Sequence, residues 1–121
     1  MFEISKEFVF DAAHYLPHAA ADHPNRRLHG HSFYVEVALR GQPDKDTGWI
    51  RDFGDIDQVI SELRARLDHH VLNDIEGLAV PTLENLSRFI FRELKSSLAG
   101  LHRVTVRRPS SRETCSYTGE A

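Results

Sequence analysis

The chain of 121 residues has one cysteine, one tryptophan and one methionine, no long apolar run, and no surplus of positive charge. Each shortage excludes something. A lone Cys115 cannot make an intrachain disulfide, and it leaves a closed, cysteine-rich structural zinc site without its ligands. No stretch approaches the ~20 apolar residues of a membrane-spanning helix. The opening "MFEISKEFVF" is too charged to read as a signal peptide. Fifteen Lys and Arg stand against eighteen Asp and Glu, a formal net charge of -3. That balance argues against a nucleic-acid platform, although Arg26-Arg27 and Arg107-Arg108 could meet small anions locally. The expectation is a soluble, cytoplasmic protein with neither a nucleic acid nor a membrane as partner. Residues 1–121 fit one domain of ordinary size. A chain of this length builds an adequate but modest core, so an oligomer that buries more surface is expected.

What is present is strongly patterned. Phe2, Ile4, Phe8 and Phe10 alternate with Glu3, Ser5, Glu7 and Asp11, the period of a half-buried strand that ends near His14. In "RRLHGHSFYVEVAL", His29, His31, Phe33, Val35, Val37 and Leu39 share one parity, which sets both histidines on the core face unless Gly30 makes a bulge. The intervening "LPHAAADHPNRR" reads as a loop. Apolar residues then recur at Ile56, Val59, Ile60, Leu63 and Leu67 with helical spacing, and Asp55 with Gln58 fits a capping box. A second helix is predicted over Leu83–Leu98, with Thr82 as N-cap and Gly100 ending it. Short strands around His102–Arg108 and Cys115–Thr118 close the chain. The order ββααββ predicts an α+β domain with a largely antiparallel sheet and helices on one face.

Eight histidines are many for this length, and their arrangement carries the chemistry. Residues two apart on a strand project to the same side, so His29 and His31 can reach one ion, and His14 at the end of the first strand is the natural third ligand. Three imidazoles with one open position are the arrangement of a catalytic zinc. In "LDHHVLND", Asp68 could hold His69 in one tautomer for proton transfer, although Asp, His and Asn also gather at helix ends for local reasons. A metallohydrolase of the HxHxD kind is disfavoured, because Phe33 stands where the aspartate would be.

The segments "FDAAHYLP", "RRLHGHSF", "DTGWIRDFGDID", "RLDHHVLNDI" and "PTLENLSRFIF" resemble, nearly end to end, the pterin synthases of the tunnelling fold (T-fold). This family includes 6-pyruvoyl-tetrahydropterin synthase and the bacterial 6-carboxy-tetrahydropterin synthase of queuosine biosynthesis. The resemblance implies zinc held by His14, His29 and His31, proton transfer through Asp68 and His69, and a homohexamer built as a dimer of trimers with sites at subunit interfaces. It implies 7,8-dihydroneopterin triphosphate as substrate, converted by a carbon-carbon lyase to 6-carboxy-5,6,7,8-tetrahydropterin with release of acetaldehyde and triphosphate. Arg26, beside the HGH motif, is the candidate for the substrate's anionic groups.

Two positions depart from the family pattern. The catalytic cysteine expected four residues before His29 is replaced by Asn25, whose amide cannot serve as a thiolate base. The glutamate that anchors the pterin falls, without gaps, on Arg108, whereas an "ET" pair occurs later as Glu113-Thr114. Glu113 can take the anchoring role only if "RRPSS" forms a local insertion or bulge, since a pterin's 2-amino and N3–H groups need a carboxylate acceptor. The alternatives are a same-fold zinc protein with a different or weakened reaction on a related pterin, and a zinc-holding assembly module without activity.

Overall fold

The computed structural model describes residues 1–119 as four strands and two helices: β1 (Phe2–His14), β2 (His29–Gly41), α1 (Phe53–Leu67), α2 (Leu83–Lys95), β3 (Leu101–Arg108) and β4 (Glu113–Tyr117). The strands form one antiparallel sheet in the order β1-β2-β3-β4. This is the α+β arrangement that the strand and helix periodicities predict.

The alternation seen in the sequence becomes the two faces of the sheet. Phe8, Phe10, Phe33, Val35, Val37, Val104 and Val106 are buried on the face that receives α1 and α2. Ile56, Ile60, Leu63 and Leu67 answer from α1, and Leu83, Leu86, Ile90, Phe91 and Leu94 from α2. Burial of an apolar side chain of this size stabilises a fold by about 1.5–3 kcal/mol, and this single layer is the main driving force for the domain. The opposite face is polar. Arg103 bridges Glu3 and Glu36 across three strands, and Arg107 meets Glu7.

Gly30 pairs with Ala13 in an unbroken β1–β2 register that ends on His14 opposite His29, so no bulge disturbs the parity of the histidines. The start of α1 differs from expectation. The helix begins at Phe53, and Asp52, not Asp55, caps it by accepting the Gly54 N–H at 2.9 Å. The Asp52 carboxylate lies one turn earlier than the periodic apolar stripe, so the stripe alone locates the helix body and misses its first residues. Thr82 caps α2 as predicted, accepting from Asn85. That helix stops at Lys95, short of Leu98. Gly100 instead turns the chain into β3 with φ +83, close against the Arg40 carbonyl. The last two strands span one or two residues more at their N-terminal ends than expected.

Candidate active site

The core face of the sheet runs out of apolar residues at one end, and the three candidate metal ligands lie there. Ala12 pairs with His31 and His14 with His29, so the parity that buries Phe10 and Phe33 carries three imidazoles onto the same face. Their ring centroids are 4.6–5.0 Å apart, with Phe33 forming the floor beneath His14 and His31. His14 is fully buried.

Each outer nitrogen is occupied where the structure records a partner. His14 Nδ1–H donates to the Pro81 carbonyl at 2.9 Å, and His29 Nδ1–H to that of Arg27 at 2.7 Å. A backbone carbonyl only accepts, so Nδ1 carries the proton and Nε2 is left with a free lone pair. The Nε2 atoms of His14, His29 and His31 are all buried and, among the described residues, without a hydrogen-bond partner. One ligand atom from each residue lies within 4.8 Å of the others. A buried polar atom left unsatisfied costs about 1–3 kcal/mol, and three converging on one point are best explained by a shared cation. Burial pushes the His14 pKa down to about 4, against the opposing Pro81 hydrogen bond and helped by the charges of His29, His31 and Arg108. His31 is shifted the same way by burial, by Arg108 and by His29, with Glu113 opposing. Unprotonated imidazole is the form that binds a metal.

Two clefts open near this end of the sheet. The first, about 490 Å³, is lined by His31, Asp11, Ser32, His69 and His70. The segment after α1 runs alongside β1 and fixes this wall. Asp68 accepts the Asp11 N–H at 2.9 Å, the His69 N–H donates to the Asp11 carbonyl at 2.6 Å, and Ala13 pairs with Val71 in a parallel bridge. His69 takes φ +60, a left-handed conformation unusual outside glycine and often found at functional sites. Its Nδ1 meets the Asp68 carboxylate at 2.9 Å, leaving Nε2 as the acceptor. The Asp11 N–H first, then His69 and Arg64, hold the Asp68 carboxyl below the usual carboxylate range.

The second cleft, about 440 Å³, is lined by Leu16, Thr82, Leu83, Arg108, Glu113 and Cys115 among others. Pro109–Ser111 form a single helical turn, and Arg112, at φ +56, completes a four-residue loop. No bulge interrupts the ladder, which runs from Val104 opposite Tyr117 to Arg108 opposite Glu113. Glu113 and Arg108 therefore both occupy the end of the sheet and join in an ion pair of 2.8 Å.

The remaining candidates lie outside both clefts. Asn25 sits half-buried in the turn Pro24–Arg26, and its carbonyl accepts the Leu16 N–H at 2.8 Å, at the rim of the second cleft. Arg26 reaches the Ala19 carbonyl at 3.2 Å and stiffens the loop. Sequence reasoning passed over Asp11, Ser32 and His70. Asp11 and Ser32 are cross-strand partners on the polar face, and only register could have joined them to the histidines. His70 Nδ1 bonds the Asp68 carbonyl at 2.8 Å, a contact that the sequence does not announce.

A buried histidine trio able to hold one metal ion, and an acid–histidine pair in a cleft that His31 also lines, are the candidate functional groups of this α+β sheet. The profile of the 6-pyruvoyl tetrahydropterin synthase family matches residues 3–120, and the chain belongs to that family and is an enzyme of it. It is 41% identical over 112 residues to 6-carboxy-5,6,7,8-tetrahydropterin synthase from Synechocystis sp., covering 88% of this chain and 85% of that one. It is 35% identical over 91 residues to dihydroneopterin monophosphate aldolase from Pyrococcus furiosus, covering 75% and 73%. The solved 6-pyruvoyl tetrahydropterin synthase of Caenorhabditis elegans superposes with a TM-score of 0.86 at 27% identity, covering 98% of this chain and 96% of that one.

Proposed function

We propose that this protein is a zinc-dependent lyase that converts 7,8-dihydroneopterin triphosphate and water to 6-carboxy-5,6,7,8-tetrahydropterin, releasing acetaldehyde and triphosphate. The observation that carries this reading is the convergence of three buried, unpartnered Nε2 atoms, together with the Asp68–His69 hydrogen bond in a cleft that His31 also lines. Similarity to the Synechocystis 6-carboxy-5,6,7,8-tetrahydropterin synthase supports the choice of reaction.

His14, His29 and His31 are the residues that would hold the ion. Bound there, zinc would supply Lewis acidity toward an oxygen of the substrate's side chain. The chain itself moves the protons. Asp68 accepts the Nδ1–H of His69, which fixes the tautomer and leaves Nε2 free to take a proton from a hydroxyl or carbon of the substrate. The imidazolium that results is stabilised by the adjacent carboxylate, which stays ionised because the Asp11 N–H and His69 depress its pKa. Glu113 would offer carboxylate oxygens to the pterin's N–H donors, and Arg26 is the candidate cation for the substrate's charged tail.

Asn25 favours a second reading. Without the cysteine, only one designated base remains, and one relative at 35% identity is named an aldolase that acts on a dihydroneopterin monophosphate. A single proton abstraction from a side-chain hydroxyl, followed by carbon-carbon cleavage, suits one base. The test is to incubate the zinc-loaded protein with 7,8-dihydroneopterin triphosphate and identify products by mass spectrometry. The lyase reading predicts acetaldehyde and the 6-carboxy product, with His69→Ala slower by about 10²- to 10⁴-fold and Asn25→Cys recovering rate. A two-carbon product other than acetaldehyde would select the aldolase-type reading.

A further inference from the structure

The ion pair at the end of the β3–β4 hairpin has a composition that neither strand explains alone. Arg108 and Glu113 are cross-strand partners on the same face as the three histidines, and both line the second cleft. Arg108 is the more enclosed, with 13% of its side chain exposed against 51% for Glu113. Its Nε is buried without a partner. An exposed ion pair is worth about 0–1 kcal/mol, too little to offset a guanidinium held partly desolvated with a donor unmet. The pair therefore has little value as a staple for the hairpin.

It has more value as a recognition surface. The recorded contact uses one nitrogen of Arg108 and one oxygen of Glu113. A guanidinium carries five N–H donors and a carboxylate two acceptor oxygens, so a donor and an acceptor remain side by side in the cleft. Thr82, Leu16 and Leu83 supply the walls. Arg108 also lies close enough to His14 and His31 for its charge to act on both, which sets the pair beside the metal centre.

We propose that Arg108 and Glu113 together read the lactam edge of the ligand, so that the cleft takes a 2-amino-4-oxo heterocycle and rejects its 2,4-diamino counterpart. The proposal rests on the pterin reading above and adds to it the residue that sets specificity at position 4. Glu113 accepts from the 2-amino and N3–H groups, and Arg108 donates to the 4-oxo group. Replacing that oxygen with an amino group sets donor against donor and leaves the guanidinium unpaired, the kind of mismatch by which polar sites discriminate most strongly.

The probes are pterin and 2,4-diaminopteridine, titrated into the zinc-loaded full chain at neutral pH and followed by their own fluorescence. The wild type should bind pterin at least tenfold more tightly. Arg108→Met should bring the ratio close to one while 2,4-diaminopteridine binds as well as before or better, a gain that a misfolded variant could not give. Equal affinities in the wild type, a comparison that needs no variant, would overturn the proposal. So would an unchanged ratio in Arg108→Met, and both outcomes leave the pterin reading intact. Failure of the wild type to bind either compound would overturn the pterin reading and this proposal together.

Discussion

His14 shows how one position can serve the fold and the chemistry at once. It is sealed from solvent, its Nδ1 is tied to the Pro81 carbonyl, and burial pulls its pKa to about 4 from an ordinary 6.5. The sign of the linkage follows. Between pH 6.5 and 4 the unfolded chain binds a proton at this residue that the folded chain refuses, so stability of the metal-free protein falls as pH drops through that window. The loss is on the order of 3 kcal/mol by pH 4. Denaturant titration of the chelator-treated protein at pH 7 and pH 4 measures it, and equal midpoints would show that His14 is not held neutral by the fold. The trio itself was legible in the sequence, because two histidines at strand spacing must share a face. Its carbonyl partners were not, since Pro81 lies 67 residues from His14 and nothing local announces the contact.

Among the elements, β1, β2 and both helix bodies were readable from period alone, since one face of each is apolar and the other is not. Boundaries were less so. The α1 cap came from Asp52, and the relation of Arg108 to Glu113 depended on a loop whose length fixes the register. Spacing along the chain offered an insertion or a bulge; the hairpin instead sets the two residues directly opposite each other. Gly100 is the element-scale position most exposed to a test. A Cβ there would come within 2.6 Å of the Arg40 carbonyl, at a φ of +83 that side chains rarely adopt. Gly100→Ala should destabilise by more than about 1 kcal/mol and lower the melting temperature by several degrees. An unchanged melting temperature would mean that the turn into β3 relaxes freely. The site lies at the other end of the sheet, so zinc affinity should survive the change.

At the scale of the molecule, β1 and β4 are the outer strands of the sheet, the segment after α1 covers the β1 edge only around Asp11–Ala13, and the polar face is threaded by charges. Edges of this kind are usually protected or paired. The family resemblance implies a dimer of trimers, and light scattering should give a mass near six protomers; a stable monomer would contradict that assembly. The α+β class matched what periodicity implied, because the pattern of strands and helices is written in local alternation, and the family matched what the resemblance of the quoted segments implied. The proposed reaction is less legible, because Asn25 and Arg108 stand where the resemblance leads one to expect a cysteine and a glutamate.

The central claim is that three buried nitrogens are free because they share an ion. Elemental analysis of the purified protein, with and without His31→Ala, tests it most directly. One zinc per subunit in the wild type and only a small fraction of that in the variant is the predicted result. Stoichiometric zinc in His31→Ala, or a wild type that takes up no divalent metal after chelation and reloading, would contradict it.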